Sequence, residues 1–238
     1  MLTPDRNDRF ISILADGKFH ENVREGTDGA SLRQYETSKG EKGEKWELTY
    51  QKIEARIVNI EFHDGDFGKN ILITFQDDDG NEVVLSQGTA TNFGEDLMKK
   101  LPSVNFAEKV TAVPYAFEDD RGRPKRGVNL YQDGKKLTNF FYKPSEVEGE
   151  RGTTVNGYPE PEGDTSNFSK DDWKIHFLQA RKFLINYIET NILSKFAARS
   201  TARTSTVGPL ADEFGDKPAT YTYPESPTDE INPEDIPF

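Results

Sequence analysis

The chain has no cysteine among its 238 residues. That excludes disulfides, thiolate nucleophiles and cysteine zinc sites, and it fits a reducing compartment. Histidine is scarce: His20, His63 and His176 are scattered and lack the spacing of metal ligands. No run of about 18 apolar residues occurs, so no spanning helix and no membrane partner are expected. The opening Met1-Leu2-Thr3-Pro4-Asp5-Arg6 lacks the basic-then-apolar pattern of a signal peptide, so the expected location is cytoplasmic. A phosphate-binding glycine-lysine loop, a dinucleotide fingerprint and a nucleophile elbow are also missing. Asp64 with Asp66, and Asp77-Asp78-Asp79, are the acidic groupings a metal-dependent nuclease would use. Each adjoins a glycine in a hairpin position, and turn chemistry accounts for it. The expectation is a protein that is not an enzyme and uses no cofactor.

What is present is charge, unevenly spread. The net charge is −12, which looks wrong for a nucleic-acid binder. Yet residues 207–238 hold eight acids (Asp212, Glu213, Asp216, Glu225, Asp229, Glu230, Glu234, Asp235) and one base, Lys217. Between Arg121 and Lys143 the balance reverses: seven bases (Arg121, Arg123, Lys125, Arg126, Lys135, Lys136, Lys143) stand against Asp133 alone. An acidic whole with a concentrated basic stretch fits a binder that carries an acidic tail.

Residues 1–44 read as an N-terminal extension: a short apolar patch, Phe10 to Leu14, then a polar mobile arm or loop over 21–44. From 45 to 143 the pattern is β. Trp46, Leu48 and Tyr50 alternate with polar residues, and short β-branched or aromatic runs follow at 57–62, 71–75, 82–86, 110–117, 128–132 and 138–142. Asp-Gly and Gly-Asn steps mark the hairpin turns between them. Phe93 to Leu101 reads as a short helix ended by Pro102. A Greek-key barrel of the oligonucleotide-binding type has five main strands and a helix between the third and fourth. The expected fold is therefore mainly β, an oligonucleotide-binding-like barrel over 45–196, with a sandwich as the rival. Residues 144–169 read as an excursion loop. Residues 170–196 read as an amphipathic helix with Ser169 as N-cap and an apolar stripe of Trp173, Phe177, Ala180, Leu184, Tyr187 and Ile188, packing on the barrel or closing a homodimer. Residues 197–238 read as a disordered acidic tail.

Two constellations carry chemistry. Tyr115 and Phe117, and Phe140 and Tyr142, are each two apart, and Tyr131 faces outward if Val128 and Leu130 face the core. Outward rings can stack bases while Lys and Arg track phosphates, a combination that tolerates any base. The candidate stackers are Tyr115, Phe117, Tyr131, Phe140, Tyr142 and Trp46. The candidate phosphate contacts are Lys69, Arg121, Arg123, Lys125, Arg126, Lys135 and Lys136. The second is the ending, Glu230 to Phe238. A terminal Phe beside a free carboxylate is suited to docking: the ring fills an apolar pocket, a basic group takes the carboxylate, and the upstream acids steer the encounter. Asp235, Ile236, Pro237 and Phe238 are the candidate partner-binding residues.

This ending resembles the C-terminal tip of bacterial and phage single-stranded DNA-binding proteins, where an acidic run closes on Ile-Pro-Phe. The core from Trp46 to Tyr142 is similar to that of a family from tailed phages in Trp46-Glu47-Leu48, Asp66-Phe67-Gly68-Lys69, Leu101-Pro102 before Asn105-Phe106, Pro114-Tyr115-Ala116-Phe117, and Tyr131 to Lys136. It departs at Asn232-Pro233, which interrupts what is often a continuous aspartate run. The resemblance implies an oligonucleotide-binding barrel and non-catalytic binding of single-stranded DNA in replication, recombination or repair, in the host cytoplasm. It also implies recruitment of a polymerase, helicase, primase or nuclease through the tip. An RNA-binding module and a protein-only adaptor are the rival readings.

Overall fold

The computed structural model describes residues 9–36, 40, 42–65, 68–147, 152–194 and 196. The strands are β1 (Arg9–Ile13), β2 (Phe19–Val23), β3 (Ser31–Glu36), β4 (Lys42–Tyr50), β5 (Ile53–Gly65), β6 (Gly68–Gln76), β7 (Glu82–Gly88), β8 (Lys109–Glu118), β9 (Pro124–Gln132), β10 (Lys135–Lys136), β11 (Tyr142–Lys143) and β12 (Thr153–Thr154). Helix α1 (Asn92–Lys100) lies between β7 and β8, and α2 (Lys170–Ile188) follows β12. The protein is mainly β. One ten-stranded mixed sheet runs β10-β9-β8-β5-β6-β7-β1-β2-β4-β3, and β11 and β12 form a separate pair. Only the β1–β7 pairing is parallel in the large sheet.

The sheet is not closed by hydrogen bonds, and β10 and β3 are its two ends. It is nevertheless strongly curled. β5 is shared: its first residues pair with β8, and from Arg56 onward it pairs with β6, with a register shift between Ile57 and Asn59. A bulge there bends the strand. The curl brings the β1–β2 turn onto β8, so that a Cβ on Gly17 would lie 2.5 Å from the Ala116 nitrogen. The core lies on the inner face. It joins Ile11, Ile13 and Phe19 to Ile57, Ile60, Ile71, Ile73, Phe75 and Leu85, and to Val110, Ala112, Val128 and Leu130.

Thr91 caps α1 by accepting the Gly94 amide, and Phe93, Leu97, Met98 and Leu101 face the core. The helix also finishes an exposed edge. The Asp96 carboxylate accepts the Val128 amide at 2.7 Å, and Lys100 Nζ donates to the Val128 carbonyl at 2.8 Å. Backbone groups of β9 left without a strand partner are met by two side chains. Helix α2 starts at a capping box between Ser169 and Asp172 and packs on the chain's own core through Leu184 and Ile188. A wider π-type turn over Glu189–Leu193 follows, and Ile192 and Phe196 continue the buried side.

Three expectations are corrected. Residues 21–44 are not an arm: their described part supplies the end of β2, all of β3 and the start of β4 in the main sheet. Residues 138–142 do not form a strand; only Tyr142–Lys143 does, in the small second sheet. That second strand, Thr153–Thr154, interrupts the expected loop at 144–169. The tail, including Asp235 to Phe238, lies outside the described residues, as do Asp66 and Phe67. Among the described residues no helix is long and apolar enough to cross a membrane.

Candidate nucleic-acid interface

The β8–β9 hairpin sorts its side chains by strand period. Val110, Ala112 and Pro114 of β8 and Val128, Leu130 and Gln132 of β9 are buried on the inner side. The opposite face is set by the register pairs Thr111–Tyr131, Val113–Asn129, Tyr115–Gly127 and Phe117–Lys125. β10 adds Lys136 beside Tyr131 on that face. One outward face therefore holds Tyr131, Tyr115 and Phe117 with Lys136 at one end and Lys125 at the other. Tyr131 and Tyr115 are separated by four residue steps of pleat, about 13 Å.

Phe117 is 58% exposed, the most exposed large apolar side chain of the described residues. Its ring centroid lies 5.8 Å from that of Tyr115, with the planes tilted by 37°. Glycine at 127 makes room for this: a Cβ there would meet the Tyr115 hydroxyl and an Asp96 oxygen, each at 2.5 Å. Tyr115 thus lies across the position its neighbour leaves empty. Burial, then the Asp96 charge, pushes the Tyr115 phenol above its ordinary value, so the ring stays neutral.

The β8–β9 loop is organised by Asp119. Its Oδ1 accepts the amides of Arg121 and Arg123, both at 3.0 Å. Its Oδ2 accepts from Arg123 Nε at 3.0 Å and pairs with Arg123 Nη2 at 2.9 Å and Lys125 Nζ at 3.8 Å. The Arg123 amide first, and its guanidinium second, hold the Asp119 carboxyl down at about 2. Arg121, at the tip, is exposed and its side chain has no partner among the described residues.

The other candidates lie elsewhere. Arg126 pairs with Ala116 and so belongs to the inner side of β9, where it is half-buried and engaged. Lys135 is opposite buried Gln132, on the side away from Tyr131. Phe140 packs against Phe141 at 5.2 Å and Tyr187 of α2 at 5.8 Å. Tyr142 is exposed, but its hydroxyl accepts the Gly152 amide on the small sheet. Trp46 is half-buried in β4, between Val23 of β2 and Leu32 of β3. Lys69 is the second residue of β6, beside the β5–β6 hairpin, 3.5 Å from Asp64 and over the Phe62 ring. Asp119 itself was missed by counting charge from Arg121 onward. The signal available was Asp119 with Gly122 three residues later, which marks a tight turn.

The Asp77 cluster performs turn chemistry: Asp77 accepts the amides of Asp79 and Asn81 and the Asn81 side chain. Among the described residues no group of three or more His, Asp or Glu is placed to hold a metal ion. Comparison with protein-family models, curated proteins and solved structures yields no match to this chain.

Proposed function

We propose that the chain is a non-catalytic, largely sequence-independent single-stranded DNA-binding protein, and that the outward β8–β9 face is its stacking surface. The observation that carries this is Phe117: a ring left 58% exposed beside Tyr115, directly opposite Lys125. Such a ring adds nothing to the core, while flat rings flanked by cations are what a single strand needs. The order β5, β6, β7, α1, β8, β9 also supports an oligonucleotide-binding barrel, since it gives five consecutive strands with a helix between the third and fourth. On that reading Lys69 borders the first hairpin loop and Arg121 and Arg123 form the last, the two loops such barrels use for oligonucleotides.

The tip Asp235, Ile236, Pro237 and Phe238 is assigned to recruiting replication, recombination or repair enzymes. A phage origin and action in the host cytoplasm complete the reading. The test of the face is Phe117→Ala, measured by oligo-dT binding. Stacking contributes about 1–3 kcal/mol per base, so affinity should fall roughly five-fold to a hundred-fold. Unchanged affinity, with the fold intact by circular dichroism, would remove Phe117 from the interface.

A further inference from the structure

We propose that Asp119 is an internal counter-anion of this face, occupying Arg123 and Lys125 until a nucleic-acid phosphate replaces it. The inference rests on the DNA-binding reading above and concerns how the same site is regulated. Its basis is the division of labour between the two carboxylate oxygens. Oδ1 takes only the loop amides of Arg121 and Arg123, so it shapes the turn. Oδ2 takes only cations: the Arg123 guanidinium through two nitrogens and the Lys125 ammonium. A phosphate offers the same fork a second set of oxygens, with the geometry guanidinium recognises. Arg123 and Lys125 are each about one-third exposed, so a backbone passing Phe117 can reach them.

The exchange has a thermodynamic signature. A free lysine or arginine that neutralises a phosphate releases DNA counterions, at about −0.7 in the log–log salt slope per contact on single strands. A cation already matched by Asp119 leaves a bare carboxylate behind, and that carboxylate takes up a salt cation. The two effects offset each other. Arg123 and Lys125 should therefore add little to the wild-type slope, whereas Arg121 and Lys136, exposed and without side-chain partners among the described residues, add their full share.

Asp119→Asn tests this directly. Asparagine keeps an oxygen for the two loop amides and loses the anion that holds the cations. Asp120→Asn is the control: it makes the same charge change one residue away, on an exposed side chain without a partner among the described residues. Binding of oligo-dT is measured by anisotropy across a salt series for the full chain and both variants. Asp119→Asn should bind tighter at low salt and steepen the slope by up to about 1.4, two contacts' worth, while Asp120→Asn stays near wild type. Equal shifts in both variants would reduce the effect to net charge and overturn the inference. Weaker binding by Asp119→Asn would also overturn it, making Asp119 a positioning residue only. Should asparagine unfold the hairpin, Asp119→Ser keeps a side-chain oxygen for the loop amides and faces the same criteria. A wild-type chain that binds no oligo-dT at all shows its failure before any variant is made; it removes the DNA-binding reading, and this inference with it.

Discussion

At the scale of single residues, Gly17 couples the N-terminal hairpin to the back of the candidate site. Its φ is +71°, and a Cβ would approach the Ala116 nitrogen to 2.5 Å and the Tyr115 carbonyl carbon to 2.7 Å. Both atoms are backbone and cannot swing aside. Gly17→Ala should therefore combine the cost of a left-handed conformation with overpacking, about 2–5 kcal/mol in all. Gly122→Ala isolates the first part: its φ is +72° but nothing lies within 4 Å of its Cβ position. It should cost only about 1–2 kcal/mol. Urea midpoints of the two variants check this, and equal losses would mean that the contact with β8 does not matter. The outward placement of Tyr131 was legible at this scale, because Val128 and Leu130 are fully buried and strand side chains alternate. The fate of Phe140 was not. Its spacing from Tyr142 matched a strand, but packing under α2 took the ring inward.

At the scale of elements, β2, β4 and β3 are held by ions rather than by apolar alternation. Glu47 is 2% exposed and accepts from Arg33 Nε and Nη2, at 2.7 and 2.8 Å, with His20 Nδ1 at 2.9 Å. Glu21 receives Arg9 through two bonds and the Tyr50 hydroxyl at 2.7 Å. Burial alone pushes the Glu47 carboxyl up, but the hydrogen bonds from Arg33 and His20 outweigh it and hold it below the ordinary 4.5. The folded state thus binds this proton more weakly than the unfolded chain. The contribution is complete above the ordinary glutamate value and disappears as the pH falls through the lowered one. Glu47→Gln should cost about 2 kcal/mol at neutral pH, and the gap to wild type should shrink in acid. Urea unfolding at a series of pH values checks the sign; a constant gap would contradict it. The same chemistry explains why residues 21–44 looked like an arm. A period-two test on apolar residues cannot see strands whose facing positions are Glu, Arg and His. The strands at 57–62, 71–75, 82–86, 110–117 and 128–132, helix α1 and the Ser169 cap were legible because each carries its apolar period or capping residue locally.

At the scale of the whole molecule, an acidic chain carries a small outward face of the opposite character. The rings of Tyr115, Phe117 and Tyr131 and the cations Lys125 and Lys136 face away from the core, and the acids of residues 207–238 follow all of the described elements in the sequence. The clustering of bases after Arg121 was visible in the sequence. Which of them share a face was not, because that depends on register: Lys125 and Lys136 join the rings, and Arg126 and Lys135 do not. The most direct test of the central claim is an anisotropy titration of labelled oligo-dT against the matching duplex, at low and moderate salt. It is run on the full chain and on one lacking residues 230–238. The account predicts salt-sensitive binding to the single strand, weak binding to the duplex, and equal or higher affinity without the tip. Absence of oligo-dT binding in both forms, even at low salt, would contradict it and leave the β8–β9 face without a nucleic-acid role.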